Sequence, residues 1–276
     1  MEQRTEKMTL NEATERLLKA GVPDARYDAR VLFAKALGLS RGELTDPTHD
    51  YAEPKLCEYI ERRSKREPLQ YIIGEVGFYR EIYSVTPDVL IPRADTECLV
   101  DYAVKNIPEG ESFIDLCTGS GCIAISTLKN TRGTTAEAVD ISTGAISVAK
   151  ANAEKNGVSE RLTLTVADVM KYEPSGGYYA VLSNPPYVKD GVYDTLDAEV
   201  LAEPKSAFVG GADGGDFYRR LIPLAKKLIK PEGFIALEIG YDQSELITSL
   251  ANKHRLSSII IKDLGGNPRC AVLRKV

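Results

Sequence analysis

Residues Phe113 to Ser126 read FIDLCTGSGCIAIS, a strand, a tight loop and a helix in immediate succession. The apolar run FIDLC has the length and composition of a buried strand. Gly119 and Gly121 follow at once, so the backbone can turn sharply and approach a ligand, and the helix behind them presents unpaired N–H groups. The spacing Gly119-x-Gly121-x-x-Ala124 satisfies the dinucleotide-loop fingerprint. Taken alone, it fits NAD and S-adenosylmethionine equally.

Downstream, strands alternate with helices. AEAVD ends at Asp140, where an acid can accept hydrogen bonds from ribose hydroxyls or, alternatively, cap the helix expected from Ser142 to Asn156. LTLTVAD ends at Asp168, an acid placed for an adenine amino group, and Val169 and Met170 follow with apolar side chains for the ring face; a strand-ending Asp is also a common turn residue. Then come YAVLSN, a helix near Phe217 to Lys230, FIALEIG, another helix, SSIIIKDL and CAVLRKV. Apolar strands separated by helices predict an α/β fold with a parallel sheet covered on both faces, and the short Gly265-Gly266-Asn267-Pro268 turn lets the last strand pair antiparallel.

Upstream, the pattern is helical. Thr9-Leu10-Asn11-Glu12 is a capping box opening a helix that stops at Gly21. Pro23 starts a second helix, with Ala29, Leu32, Phe33 and Ala36 on one face and Gly38 at its end; a third runs from about Pro54 to Arg66. GEVGFYREIYSVTPDVLIP, from Gly74 to Pro92, is rich in aromatic and β-branched residues and carries a turn at Thr86-Pro87-Asp88, which predicts a β-hairpin. The expected organisation is a helical domain over 1–73, a hairpin linker over 74–92 and a cofactor-binding domain over 93–276.

The 276 residues are 43% hydrophobic and 27% charged, as in an ordinary soluble enzyme. The charged start and the lack of a long apolar run predict a cytoplasmic protein that does not cross a membrane. Cys57, Cys98, Cys117, Cys122 and Cys270 form no C-x-x-C pair, so free thiols and no metal are expected. A net charge of −5 argues against stable nucleic-acid binding through phosphate neutralisation. The one basic cluster, Arg62, Arg63, Lys65 and Arg66, suits a helix C-terminus.

Asn184-Pro185-Pro186-Tyr187 follows the strand YAVLS at the same sheet edge as the glycine loop. The Asn184 side-chain oxygen and the Pro185 carbonyl can each accept one N–H of a planar NH₂ group and aim its nitrogen, while the prolines fix the backbone and Tyr187 can cover a flat substrate face. Acceptors so placed also stabilise charge growing on nitrogen, so no strong base is needed. An NAD oxidoreductase has no use for this tetrapeptide, which makes S-adenosylmethionine the expected cofactor and its homocysteine counterpart the product.

With these motifs, the chain resembles the HemK-type family of release-factor glutamine N5-methyltransferases. The resemblance extends through Asp28 to Leu44, Glu67 to Glu97 with its IPRADTE segment, Phe113 to Ser126, Ser183 to Val188, Glu203 to Asp216 and Glu238 to Gln243. It implies a Rossmann-like class I methyltransferase sheet, and methylation of the glutamine in the Gly-Gly-Gln motif of class I peptide chain release factors, which the helical domain helps to bind. It also implies cofactor contacts from Thr118, Gly119, Ser120, Gly121, Asp140, Val169 and Asn184, to which Cys117 and Asp168 are added by position. Glutamine contacts fall to Asn184, Pro185, Pro186 and Tyr187, with Asn184, Pro185 and Tyr187 as the catalytic set. Glutamine methylation of a ribosomal protein and adenine-N6 methylation of nucleic acid are the alternatives. Cys117 stands where the family usually has glycine and Cys122 where alanine is usual; cofactor binding is expected to tolerate both if residue 117 keeps φ below zero. Arg93, Asp95 and Glu97 could face the substrate channel or lock the hairpin to the core, and Glu238 could line the pocket or cap a helix.

Overall fold

The computed structural model describes residues 7–263 and 265–276. The first six residues, part of the charged start, and Leu264, expected to end the strand SSIIIKDL, lie outside them. The chain forms two compact units: Met1–Glu75 together with Asp197–Ala202, and Val76–Leu196 together with Glu203–Val276.

The first unit holds α1 (Leu10–Lys19), α2 (Ala25–Leu37), α3 (Pro54–Ser64) and the short α4 (Leu69–Ile73). The Thr9 side chain accepts from the Glu12 amide and the Glu12 carboxylate bonds back to the Thr9 amide, closing the capping box. Leu17, Leu32, Phe33, Leu56 and Ile60 are fully buried in its core. The basic cluster is absorbed by ion pairs. Arg62 pairs with Glu67 at 2.5 Å, and the buried Arg63 donates to Asp28 at 2.7 Å and to Glu199 at 2.8 Å. Arg66 also reaches Glu199, at 2.6 Å. Glu199 comes from the segment 197–202, and these bonds place that segment in the helical unit.

The second unit opens with a two-stranded sheet, β1 (Glu75–Phe78) and β2 (Glu81–Ser84), in which the chain reverses at Tyr79-Arg80 with Tyr79 at φ 57°. Thr86-Pro87-Asp88 makes a separate turn, closed by Val89 N–H to the Thr86 carbonyl at 3.1 Å. A 3₁₀ turn over Ala94–Thr96 leads into α5 (Glu97–Asn106). There follow β3 (Ser112–Leu116), α6 (Cys122–Lys129), β4 (Thr135–Asp140), α7 (Thr143–Asn156), β5 (Leu162–Val166) and β6 (Tyr178–Ser183). The chain continues through α8 (Asp190–Tyr193), α9 (Ala198–Leu201), α10 (Asp216–Leu228), β7 (Ile229–Glu238), α11 (Ser244–Lys253), β8 (Leu256–Lys262) and β9 (Pro268–Lys275).

The seven strands of the main sheet lie in the order β5-β4-β3-β6-β7-β9-β8, parallel except for β9, which runs antiparallel to β7 and β8. Alternate residues enter opposite cores: Phe113, Leu182 and Val272 join the helices α5 to α7 on one face, and Ile114, Val181 and Ala271 join α10 and α11 on the other. β7 begins earlier than the FIALEIG pattern suggests, at Ile229, through a register shift opposite Tyr178 and Ala180. The sheet order reverses direction at β3 and β6. In an open α/β sheet that switch point opens a crevice at the strands' carboxyl ends.

Candidate active site

Strand register puts the candidate residues in one row. Leu116 is the Cα partner of both Val139 and Ser183, and Ser183 is the partner of Leu237, so Cys117, Asp140, Asn184 and Glu238 leave four neighbouring strands side by side. A cavity of about 350 Å³ opens over this edge. Of the residues singled out from the sequence, Cys117, Thr118, Gly119, Ser120, Asp140, Asp168, Val169, Asn184 and Pro186 line it. Gly121, Pro185 and Tyr187 are not among the lining residues but adjoin Ser120, Asn184 and Pro186, which are.

The glycine loop is built by backbone conformation. Gly119 and Gly121 have φ of 56° and 81°, and a Cβ on Gly121 would meet Ala149 Cβ at 3.1 Å, so that glycine lets the start of α6 close onto α7. Cys117 also has positive φ, 64°, so the condition under which the loop is expected to tolerate it, φ below zero, is not met. The chain must leave β3 in a left-handed turn for Thr118 N–H to reach the Val139 carbonyl at 3.0 Å. A side chain there costs about 1 kcal/mol or more. Burial pushes the Cys117 thiol pKa up. The Cys122 thiol is raised to about 12 for the same reason.

Asp140 receives Gly119 N–H on Oδ2 and Ser142 N–H on Oδ1, each at 2.9 Å. It is not the cap of α7; Ser142 is, accepting from the Ala145 amide. Each carboxylate oxygen keeps a lone pair for a hydroxyl donor. Asp168 makes a turn, taking Met170 N–H at 2.9 Å, while still facing the cavity. Asp115, under the loop, holds the Thr118 hydroxyl at 2.6 Å, and burial raises its carboxyl pKa to about 7.

The Asn-Pro-Pro-Tyr loop is held by partners far away in sequence. Asn184 Nδ2 points to Thr96 Oγ1 at 3.4 Å. The Tyr187 hydroxyl donates to Glu238 Oε1 at 3.1 Å, and its carbonyl accepts from Gln243 Nε2 at 3.1 Å. Gln243 is itself buried and accepts from Gly240 N–H and the Tyr218 hydroxyl. Gly210 and Gly214 press against the loop so closely that a Cβ would meet Pro186 O at 2.6 Å and Tyr187 O at 2.2 Å, respectively. Glu238 neither lines the cavity nor caps α11.

The IPRADTE segment divides its tasks. Arg93 lines the cavity and pairs with Glu203, whose other oxygen takes Ile91 N–H at 2.9 Å. Asp95 pairs with Arg269 at 3.2 Å, and Glu97 receives Tyr79 N–H at 2.8 Å, fastening the β1–β2 reversal to α5. Thr96, inside IPRADTE but given no role by the sequence reading, and Phe217, outside any motif, both stand in the cavity wall. Among the described residues, no group of His, Cys, Asp or Glu could hold a metal ion, and no helix is long and apolar enough to cross a membrane.

A nucleotide loop and an Asn-Pro-Pro-Tyr loop on neighbouring strands of this sheet define a methyltransferase, and the family model described as "Methyltransferase small domain" matches residues 94–235. The model described as "PrmC N-terminal domain" matches residues 9–74. The chain belongs to the release factor glutamine methyltransferase family. It is 37% identical to the "Release factor glutamine methyltransferase" of Caulobacter vibrioides over 265 residues, 93% of this chain and 92% of the relative. Identity is also 37% to the protein so named in Moorella thermoacetica, covering 96% of this chain and 97% of the relative. The crystal structure of a ribosomal protein L11 methylase from Lactobacillus delbrueckii subsp. bulgaricus superposes with a TM-score of 0.51 at 20% identity, over 71% of this chain and 87% of that one, a likeness of fold alone.

Proposed function

We propose that this enzyme transfers a methyl group from S-adenosylmethionine to the side-chain N5 of the glutamine in the Gly-Gly-Gln motif of class I peptide chain release factors, in the cytoplasm. The observation that carries this reading is the register-fixed placement of Asn184 beside the glycine loop in one cavity. The family supplies the substrate.

The residues present fit the cofactor. Gly119 has open space where a side chain would project, Asp140 retains acceptor capacity for a ribose, and Asp168 and Val169 offer a carboxylate and an apolar surface to an adenine. When bound, the cofactor supplies a methyl group activated by a sulfonium. The protein's task is to aim a poor nucleophile, because the lone pair of an amide nitrogen is delocalised. Asn184 Oδ1 and the Pro185 carbonyl hold its two hydrogens, and no backbone N–H among the described residues is bonded to that carbonyl. As the N–C bond forms and the methyl carbon's bond to sulfur breaks, with its electron pair left on a neutral thioether, positive charge grows on nitrogen and the same oxygens stabilise it; one N–H proton then departs to solvent.

The test is to incubate purified release factor and methyl-labelled S-adenosylmethionine with the enzyme and map the label by tandem mass spectrometry. Label is expected on the Gly-Gly-Gln glutamine and absent from a Gln→Glu release factor. Label in a ribosomal protein or on adenine, with none in the release factor, would overturn the proposal.

A further inference from the structure

An asparagine can hold a substrate NH₂ only if its amide faces the right way, since one end accepts and the other donates. With Nδ2 toward the cavity, Asn184 would oppose the substrate's hydrogens. In the structure Nδ2 instead faces Thr96 Oγ1, at 3.4 Å. Thr96 is 2% exposed and lies in the cavity wall. A threonine oxygen that accepts from Asn184 still has its own proton to give.

Glu238 is the group that can receive it. It leaves the strand next to Asn184 and is 2% exposed; its Oε1 takes the Tyr187 hydroxyl, and its Oε2 is buried without a hydrogen-bond partner. Burial pushes the carboxyl pKa up, while interaction with the Thr96 hydroxyl and then with Tyr187 favours the charged form. A carboxylate only accepts, so whatever donates to it has its direction set.

We propose that Glu238 is a positioning residue that sets the direction of a hydrogen-bond chain, from Asn184 Nδ2 to Thr96 Oγ1 and from the Thr96 hydroxyl to Glu238, so that Asn184 Oδ1 is the end presented to the substrate. This inference rests on the role given to Asn184 above. Glu238→Gln replaces an acceptor with a donor. Thr96 would then accept from the new amide and donate onward, and the Asn184 amide would turn round. Thr96→Val deletes the chain's middle member at nearly constant volume, and Thr96→Ser restores it.

The three variants and the wild type are compared for kcat and KM with release factor, for S-adenosylmethionine affinity by calorimetry, and for Tm. Glu238→Gln and Thr96→Val should lower kcat about 10- to 100-fold, with cofactor affinity unchanged, and Thr96→Ser should recover most of the loss. Should Glu238→Gln fail to fold, Thr96→Val still decides the matter. Undiminished kcat in Thr96→Val, or equal losses in Thr96→Val and Thr96→Ser that track Tm, would overturn the proposal. The Asn184 side-chain NH₂ resonances, assigned with Asn184→Asp in ¹⁵N-labelled protein, give a readout independent of the substrate. They should move in Thr96→Val and stay in place in Thr96→Ser, and no movement in either sinks the chain. Wild-type enzyme that leaves release factor unlabelled while these resonances behave as expected would refute the substrate and not the hydrogen-bond chain.

Discussion

The loops that leave β3 and β6 start side by side, yet they are held in different ways. The glycine loop is shaped mainly by its own backbone: three consecutive odd positions, Cys117, Gly119 and Gly121, have positive φ, and the outside groups that hold it, Val139, Asp140 and Asn152, lie at most 32 positions from their partners. The Asn-Pro-Pro-Tyr loop has rigid prolines but takes its orientation from Thr96, Glu238 and Gln243, which lie 88, 51 and 56 positions from their partners in the loop. A loop that binds needs a backbone shape, which local residues can dictate. A loop that aims a reacting atom needs fixed rotamers, which require packing from outside.

Five substitutions break or sharpen this contrast. Asn184→Ala should have the largest effect, a fall in kcat of about 10² to 10³-fold with cofactor affinity and Tm nearly unchanged, because it removes an acceptor that matters most in the transition state. Steady-state kinetics beside calorimetry will show it, and near-normal turnover would end the assignment.

Gly214→Ala and Gly119→Ala form a pair. Both positions have positive φ, but a Cβ at 214 would sit 2.2 Å from the Tyr187 carbonyl, whereas at 119 nothing lies within 4 Å. Denaturant unfolding should show a loss of about 3 kcal/mol for the former and about 1 to 2 kcal/mol for the latter. Equal losses would mean that the Asn-Pro-Pro-Tyr loop yields as easily as the glycine loop.

Asp140→Ala should weaken S-adenosylmethionine binding about 10- to 100-fold, since hydrogen bonds to a charged group contribute roughly 1.5 to 3 kcal/mol, while kcat at saturation changes little. Unchanged affinity would leave Asp140 as a brace for Gly119 and Ser142 only. The smallest effect belongs to Cys117→Gly, which relieves a left-handed residue at some cost in unfolded-state entropy. A gain of about 0.5 to 1 kcal/mol, seen as a rise of a few degrees in Tm, is expected; a loss would show that the thiol's packing outweighs the strain.

The amino-acid sequence by itself determined the alternation of strands and helices, the capping box at Thr9, the glycine loop and the tetrapeptide after β6, because each is written in periodicity or in residues with special backbone behaviour that act over a few positions. It also carried the family. It left φ at Cys117 open, since small size says nothing about the turn a strand must make to satisfy Thr118. It left Glu238, Asp95 and Glu97 undecided and passed over Thr96, Gln243 and Phe217. The tertiary structure alone decided those: the sheet register brings Glu238 beside Asn184, the 3₁₀ turn delivers Thr96 to the cavity wall, and Gln243 bonds the Tyr187 carbonyl from the start of α11. Side chains such as these have ordinary local preferences, so what they do depends on which partners the sheet brings within about 3 Å of them.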